Sequence, residues 1–211
     1  MPAEDFIQRL SVGLLETNCY LVRPENSGIL FIVDPGGAPE QIADAAEAME
    51  DCEKRVILLT HAHVDHISGI PLLMERLNIS GVYLPPGDQF LYRSPENAIL
   101  PYIPAAENLP DVKWPPAFPG IECIPCPGHT PGGVSYFFQS MNAIFTGDTL
   151  FRASVGRTDL PGGDSDALMS SIRENLMSLP DSLIVYPGHG PATTIGEERR
   201  QNPYLFNSFG D

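Results

Sequence analysis

The tightest constraint on this chain is the stretch Thr60-His61-Ala62-His63-Val64-Asp65-His66, which directly follows the apolar run Val56-Ile57-Leu58-Leu59. A short, continuous apolar run reads as a strand buried on both faces. Such a strand delivers the residues after it to the rim of a sheet, where loop backbone gathers donor groups from distant parts of the sequence. Here the delivered residues are three histidines and an aspartate within positions 61–66. The chain has five histidines in all. The other two stand in matching turns, Pro127-Gly128-His129-Thr130-Pro131 and Pro187-Gly188-His189-Gly190-Pro191. No histidine is left for an ordinary core or surface role, which points to a metalloenzyme.

The rest of the chain repeats the pattern. Alternating or apolar runs predict strands over 6–13, 19–22, 29–33, 55–60, 82–84, 121–125, 134–138, 143–145 and 183–186. Helical spacing predicts helices over 39–49, 68–77 and 167–178, the last capped by Ser165 or Asp166. Asp34, His61, His129, Asp148 and His189 each follow a predicted strand. Strand-rich blocks separated by helices occur twice, so two packed mixed sheets with helices outside are expected. Residues 85–119 break the pattern with many prolines and read as an insertion with one helix over 88–100, interrupted near Pro95, and a long loop. Overall, one domain over 1–211 is expected.

The donor types suit zinc, iron or manganese. His61 and His63, two apart in an extended segment, project the same way. Asp65 and His66 follow as the chain turns into a helix and face a neighbouring point. One ion does not readily take all four, whereas two neighbouring ions do, with the carboxylate of Asp148 between them. Asp148 in Thr146-Gly147-Asp148-Thr149 also fits a plain turn, and Asp34 fits one too. Asp34 is read as supporting a ligand imidazole from behind and fixing its tautomer, with Thr60 beside it.

Composition narrows the function class. A net charge of −15 argues against a nucleic-acid partner, which needs clustered Lys and Arg. No stretch of about 18 apolar residues predicts a membrane span. The acidic N-terminus lacks the features of a leader, so a cytoplasmic location is expected. The four cysteines suggest no disulfide framework. Cys123-Ile124-Pro125-Cys126 has the spacing of a redox or zinc pair but lacks a second pair, and buried strand cysteines are the expectation.

Five separated motifs carry a resemblance. Asp34-Pro35-Gly36-Gly37, the cluster at 61–66, Pro127-Gly128-His129-Thr130, Gly147-Asp148 and Pro187-Gly188-His189-Gly190 together resemble the metallo-β-lactamase superfamily over about residues 6–203. The resemblance implies an α/β fold, the αβ/βα sandwich. It implies that His61, His63 and His129 hold one divalent metal ion, that Asp65, His66 and His189 hold a second, and that Asp148 bridges them. Zinc is the expected metal, with iron and manganese as alternatives.

Within the superfamily the chain is similar to the short bacterial branch of glyoxalase II, the hydroxyacylglutathione hydrolases. Gly156-Arg157-Thr158-Asp159-Leu160-Pro161-Gly162-Gly163-Asp164 resembles their substrate-side loop, and Thr194-Ile195-Gly196-Glu197-Glu198-Arg199 with Asn202-Pro203 resembles their tail. Only 22 residues follow His189, so the C-terminal helical domain with which full-length glyoxalase II grips glutathione is not expected. The implied reaction is hydrolysis of a thioester such as S-D-lactoylglutathione by a metal-bridging hydroxide, with Asp65 as the catalytic carboxylate orienting it. Arg157 is a candidate for the substrate carboxylate, a salt bridge being the alternative. The expected partner is a small-molecule thioester, with no nucleic acid and no membrane, and the expected state is a monomer or small homo-oligomer. The rival reading is a persulfide dioxygenase, a family that also carries Gly-Arg-Thr-Asp and would use one iron on His61, His129 and Asp148. A lactonase or other ester hydrolase, and a non-catalytic metal-stabilised binding protein, complete the alternatives.

Overall fold

A computed structural model of the chain describes residues 4–49 and 52–206. Residues 1–3, part of the stretch read as carrying no leader, lie outside them. Two compact units are resolved, Met1–Pro116 and Ala117–Asp211.

The first unit opens with β1 (Phe6–Val12) and β2 (Thr17–Arg23), which pair antiparallel, followed by β3 (Ile29–Val33) antiparallel to β2. Helix α1 (Pro39–Glu47) then crosses to β4 (Lys54–Leu58), parallel to β3. Two short helices, α2 (Val64–Ile67) and α3 (Ile70–Arg76), cross to β5 (Ile79–Tyr83), parallel to β4. The strand order is β1-β2-β3-β4-β5. The central strands bury Leu21, Ile32 and Ile57 completely, and the crossover helices add Ile42, Ala43, Ala46, Ile70 and Leu73 to the same core. Each Leu or Ile so buried contributes about 1.5–3 kcal/mol, which outweighs the weak intrinsic stability of such short helices.

The segment after β5 contains a 3₁₀ turn at Pro86–Asp88, helix α4 (Gln89–Arg93) and a second 3₁₀ turn at Pro95–Asn97. The expected helix over 88–100 is therefore cut to five residues. Pro95 terminates it, because the residue before a proline is pushed out of the helical region; Ser94 is extended, with φ −93° and ψ 148°.

The second unit repeats the plan. Strand β6 (Ile121–Pro125) pairs antiparallel with β7 (Val134–Phe138), and β7 with β8 (Ala143–Gly147). Two-residue strands β9 (Leu150–Phe151) and β10 (Ser154–Val155) form a small hairpin. Helix α5 (Ser165–Ser170) continues as a π-helical turn, Ser171–Leu176, and leads to β11 (Ile184–Pro187), parallel to β8. Strand β12 (Thr193–Thr194) closes the order β12-β11-β8-β7-β6. Helices α6 (Ile195–Gln201) and α7 (Pro203–Phe206) follow. The cap of α5 is neither Ser165 nor Asp166 but Asp164, whose Oδ1 accepts from the Ala167 N–H at 3.0 Å. Two mixed sheets, each with antiparallel strands on one side and a parallel crossover on the other, match the αβ/βα expectation. No helix among the described residues is long and apolar enough to cross a membrane.

Candidate metal centre

In the first unit the donor cluster begins where β4 runs out. The Thr60 N–H donates to Asp34 Oδ1 at 2.8 Å, and the Thr60 hydroxyl donates to Asp34 Oδ2 at 2.6 Å. Asp34 follows β3 with φ 52°, a left-handed conformation that Asp tolerates better than bulkier residues. The same Oδ2 lies 3.0 Å from His66 Nδ1, and Thr60 Oγ1 lies 3.0 Å from His61 Nδ1. A hydroxyl has one proton, and here it is committed to Asp34. His61 Nδ1 must therefore donate to Thr60 Oγ1, and His66 Nδ1 must donate to the carboxylate. Both rings then present Nε2 as a lone-pair donor, the form that binds metal. One buried carboxylate sets two tautomers.

Local backbone follows the expected switch from strand to helix. His63 is extended, with φ −70° and ψ 147°, and α2 starts at Val64. The rings of His61 and His63 lie 4.9 Å apart and those of His61 and His66 4.1 Å apart, centroid to centroid. Asp65 Oδ2 accepts from the Thr17 hydroxyl at 2.9 Å and lies 3.4 Å from His66 Nε2. Gly36 is required here by close approach: a methyl group at that position would overlap the Asp65 carbonyl oxygen.

In the second unit, His129 follows β6 through Pro127-Gly128. Gly128 has φ 134°, and a side chain there would collide with the backbone of Leu168. His129 Nδ1 lies 2.7 Å from the Arg157 carbonyl oxygen. A carbonyl only accepts, so Nδ1 carries the proton and Nε2 is again the donor atom. Asp148 follows β8, and His189 follows β11. The Gly188 N–H donates to the Gly147 carbonyl at 2.8 Å and ties those two turns together. Asp148 Oδ2 receives both imidazoles: His129 Nε2 at 3.6 Å and His189 Nε2 at 3.5 Å.

These spacings test the fit to a metal. A direct imidazolium–carboxylate hydrogen bond is about 2.7–2.9 Å long. Two donors on one tetrahedral ion, each at about 2.0–2.2 Å from it, lie roughly 3.3–3.6 Å apart. The 3.4, 3.5 and 3.6 Å separations match the second case. With the Nδ1 protons of His61, His66 and His129 fixed from behind, the imidazoles and carboxylates in each unit have the chemistry and spacing of ligands to a divalent metal ion.

Arg157, read as a candidate for a substrate carboxylate with a salt bridge as the alternative, forms a salt bridge and also acts through its backbone. Its carbonyl fixes His129, while its guanidinium forks onto Asp159 with two contacts of 2.7 Å. That bidentate contact holds the Asp159 carboxyl down at about 2. Sequence reasoning missed Thr17 and Asp88, whose carboxylate accepts from the Ala62 N–H at 3.0 Å. Neither belongs to a metal-ligand pattern, and their only signal is burial, which a sequence does not display. The cysteines are free thiols, with Cys126 buried against Ser135 Oγ at 3.2 Å. Burial pushes Cys123 and Cys126 up to about 11, which keeps both as thiols near neutral pH.

Comparison with known proteins identifies the family. Residues 12–189 match the family model of the metallo-beta-lactamase superfamily. The chain is 37% identical to the hydroxyacylglutathione hydrolase GloC of Haemophilus influenzae, over 94% of this chain and 97% of that one. Among solved structures it resembles the BLEG-1 B3 metallo-beta-lactamase, with TM-score 0.86, 33% identity and coverage of 95% of this chain and 100% of that one. It also resembles TTHA1623 in a di-iron-bound form, with TM-score 0.81, 37% identity and coverage of 94% and 100%.

Proposed function

The chain belongs to the metallo-β-lactamase superfamily as a metal-dependent hydrolase, and from that premise we propose that it hydrolyses a thioester of the glyoxalase II type, with S-D-lactoylglutathione as the first substrate to test. The observation that carries this reading is the 37% identity to a hydroxyacylglutathione hydrolase across nearly the full length of both chains. In the proposed centre His61, His63 and His129 would hold one divalent ion and Asp65, His66 and His189 the other, with Asp148 available to both. Bound there, the ions supply Lewis acidity, lowering the pKa of a water toward neutrality and polarising the thioester carbonyl.

The remaining chemistry belongs to the protein. Asp34 and Thr60 keep protons on Nδ1 of His66 and His61, and the Arg157 carbonyl does the same for His129. Asp65, steadied by the Thr17 hydroxyl, orients the attacking water. The departing thiol has an ordinary pKa of about 8.5, so it leaves as thiolate near neutral pH without a dedicated acid. A substrate carboxylate reaching Arg157 has to compete with Asp159 for the guanidinium. A net charge of −15 supports a small-molecule substrate over nucleic acid.

Zinc is the proposed metal, with iron and manganese as alternatives; a similar protein solved in a di-iron-bound form supports testing iron. Metal analysis paired with a panel of S-D-lactoylglutathione, simpler thioesters, lactones and glutathione persulfide tests the reading. The expected result is two ions per chain and thioester turnover. Two ions per chain with turnover confined to lactones would remove the thioester assignment. One iron with oxygen uptake on the persulfide would replace hydrolysis by dioxygenation.

A further inference from the structure

We propose that Asp88 is a positioning residue for the metal-binding histidines: it braces the backbone between His61 and His63, and this is a role of the proline-rich segment that follows β5. The proposal rests on the reading of His61 and His63 as metal donors.

The argument begins with the end of a central strand. Strand β4 lies between β3 and β5. Past Leu58 its backbone pairing continues for one step, with the Asp34 N–H donating to the Leu58 carbonyl at 3.1 Å and the Leu59 N–H to the Tyr83 carbonyl at 3.0 Å. Backbone partners then give way to carboxylates. The Thr60 N–H goes to Asp34, which follows β3, and the Ala62 N–H goes to Asp88, which follows β5. The segment carrying the histidines is thus gripped from both neighbouring strands, through two amides two residues apart. Asp34 supports ring protons as well. Asp88 acts on the amide flanked by His61 and His63.

Asp88 is fully buried, and its position shows what its carboxylate is used for. It is the residue before the first turn of α4, where an aspartate usually accepts from that helix's own N–H groups. Its side chain makes no such cap. Instead Oδ2 accepts from an amide 26 residues earlier. A buried carboxylate is tolerated only where hydrogen bonds satisfy it, so the contact fixes both partners. The segment is itself anchored: the Leu84 N–H donates to the Lys113 carbonyl at 3.2 Å, Tyr92 Oη to the Pro110 carbonyl at 3.2 Å, and Arg93 to the Leu109 carbonyl at 2.7 Å. An anchored carboxylate is a brace; a mobile one would not be.

Wild-type, Asp88→Ala and Asp88→Asn chains, stripped of metal and checked for folding by circular dichroism, are titrated with zinc against a chromophoric chelator. Cobalt(II) spectra are recorded for each. Asp88→Ala should bind zinc roughly 10–100-fold more weakly, as expected for loss of a group that orients ligands, and its cobalt bands should shift. Asp88→Asn still offers an oxygen to the Ala62 N–H and should recover most of the loss. Wild-type zinc affinity and an unchanged cobalt spectrum in Asp88→Ala would overturn the proposal. So would an Asn variant as weak as the Ala variant with both apo folds intact. If Asp88→Ala does not fold, Asp88→Asn decides: a folded chain within about threefold of wild-type affinity supports the brace, and a loss of about tenfold or more overturns it. If neither folds, Asp88 is a folding residue and the proposal fails. A wild-type chain that takes up neither zinc nor cobalt overturns the metal-site reading itself, and the brace with it.

Discussion

Thr60 shows how much a single hydroxyl decides in this site. It links Asp34 to His61: its proton goes to the carboxylate, and its oxygen receives the proton of His61 Nδ1. Thr60→Val keeps the shape and removes both contacts. The buried Nδ1–H of His61 then loses its acceptor, a cost of about 1–3 kcal/mol. The ring also loses the bias that keeps the proton off Nε2. Zinc affinity should fall about 10–100-fold, in line with other losses behind a ligand, and Thr60→Ser should restore it. Chelator competition and denaturant unfolding read the two effects separately. A valine variant equal to wild type in both would show that His61 keeps its tautomer without Thr60. The sequence pointed to Asp34 and Thr60 as a pair behind the ligands; the direction of each proton became clear only from the distances.

At the scale of elements, the site depends on two segments approaching closely enough to touch backbone to backbone. The turn Pro35-Gly36-Gly37 after β3 lies against the start of α2 at Asp65, and the Gly69 N–H donates to the Pro35 carbonyl at 2.9 Å. A methyl at Gly36 meets a carbonyl oxygen, which cannot swing aside as a side chain can. Gly36→Ala should therefore cost about 1–3 kcal/mol in denaturant unfolding, the usual price of overpacking. Gly28→Ala is the control, since its methyl meets only the flexible Glu53 side chain at 3.4 Å. Equal stability of the two variants would show that the turn can back away from Asp65. The strands that deliver the donors were legible in the sequence because β3, β4, β8 and β11 are apolar runs ended by polar turns. The hairpin of β9 and β10 was not, because two-residue strands are too short to show alternation. Within the segment predicted as a helix over 167–178, Leu168, Ile172 and Leu176 are all buried. Its second half is nonetheless π-helical, with the Met177 N–H donating to the Ile172 carbonyl five residues back. A spacing of four residues fits either winding, so periodicity could not separate them. Asp88 escaped notice for a related reason: in Pro85-Pro86-Gly87-Asp88 it reads as turn chemistry, and only its partner at Ala62 reveals another use.

For the whole molecule, the proposed donors span residues 61 to 189. An ion held by donors so far apart in sequence would restrain a long stretch of chain, and the unfolded chain does not offer that donor set. Metal should therefore stabilise the folded state by mass action. At a free ion concentration about a thousand times the dissociation constant, the gain is about 4 kcal/mol. For a chain of this size each kcal/mol shifts the melting temperature by about 2–4 °C. Stripping the protein with a chelator should then lower its melting temperature by about 8–16 °C, and restoring zinc should reverse the shift. Asp148→Ala separates this from a general effect of chelators. Both His129 Nε2 and His189 Nε2 approach that carboxylate, so its loss should leave less than one full complement of metal and less than about half of the wild-type shift. If wild-type protein holds stoichiometric metal yet melts at the same temperature with and without it, the ions bind folded and unfolded chain alike. The histidines would then be a surface sink for metal, and the buried, proton-fixed donor set would have no thermodynamic consequence.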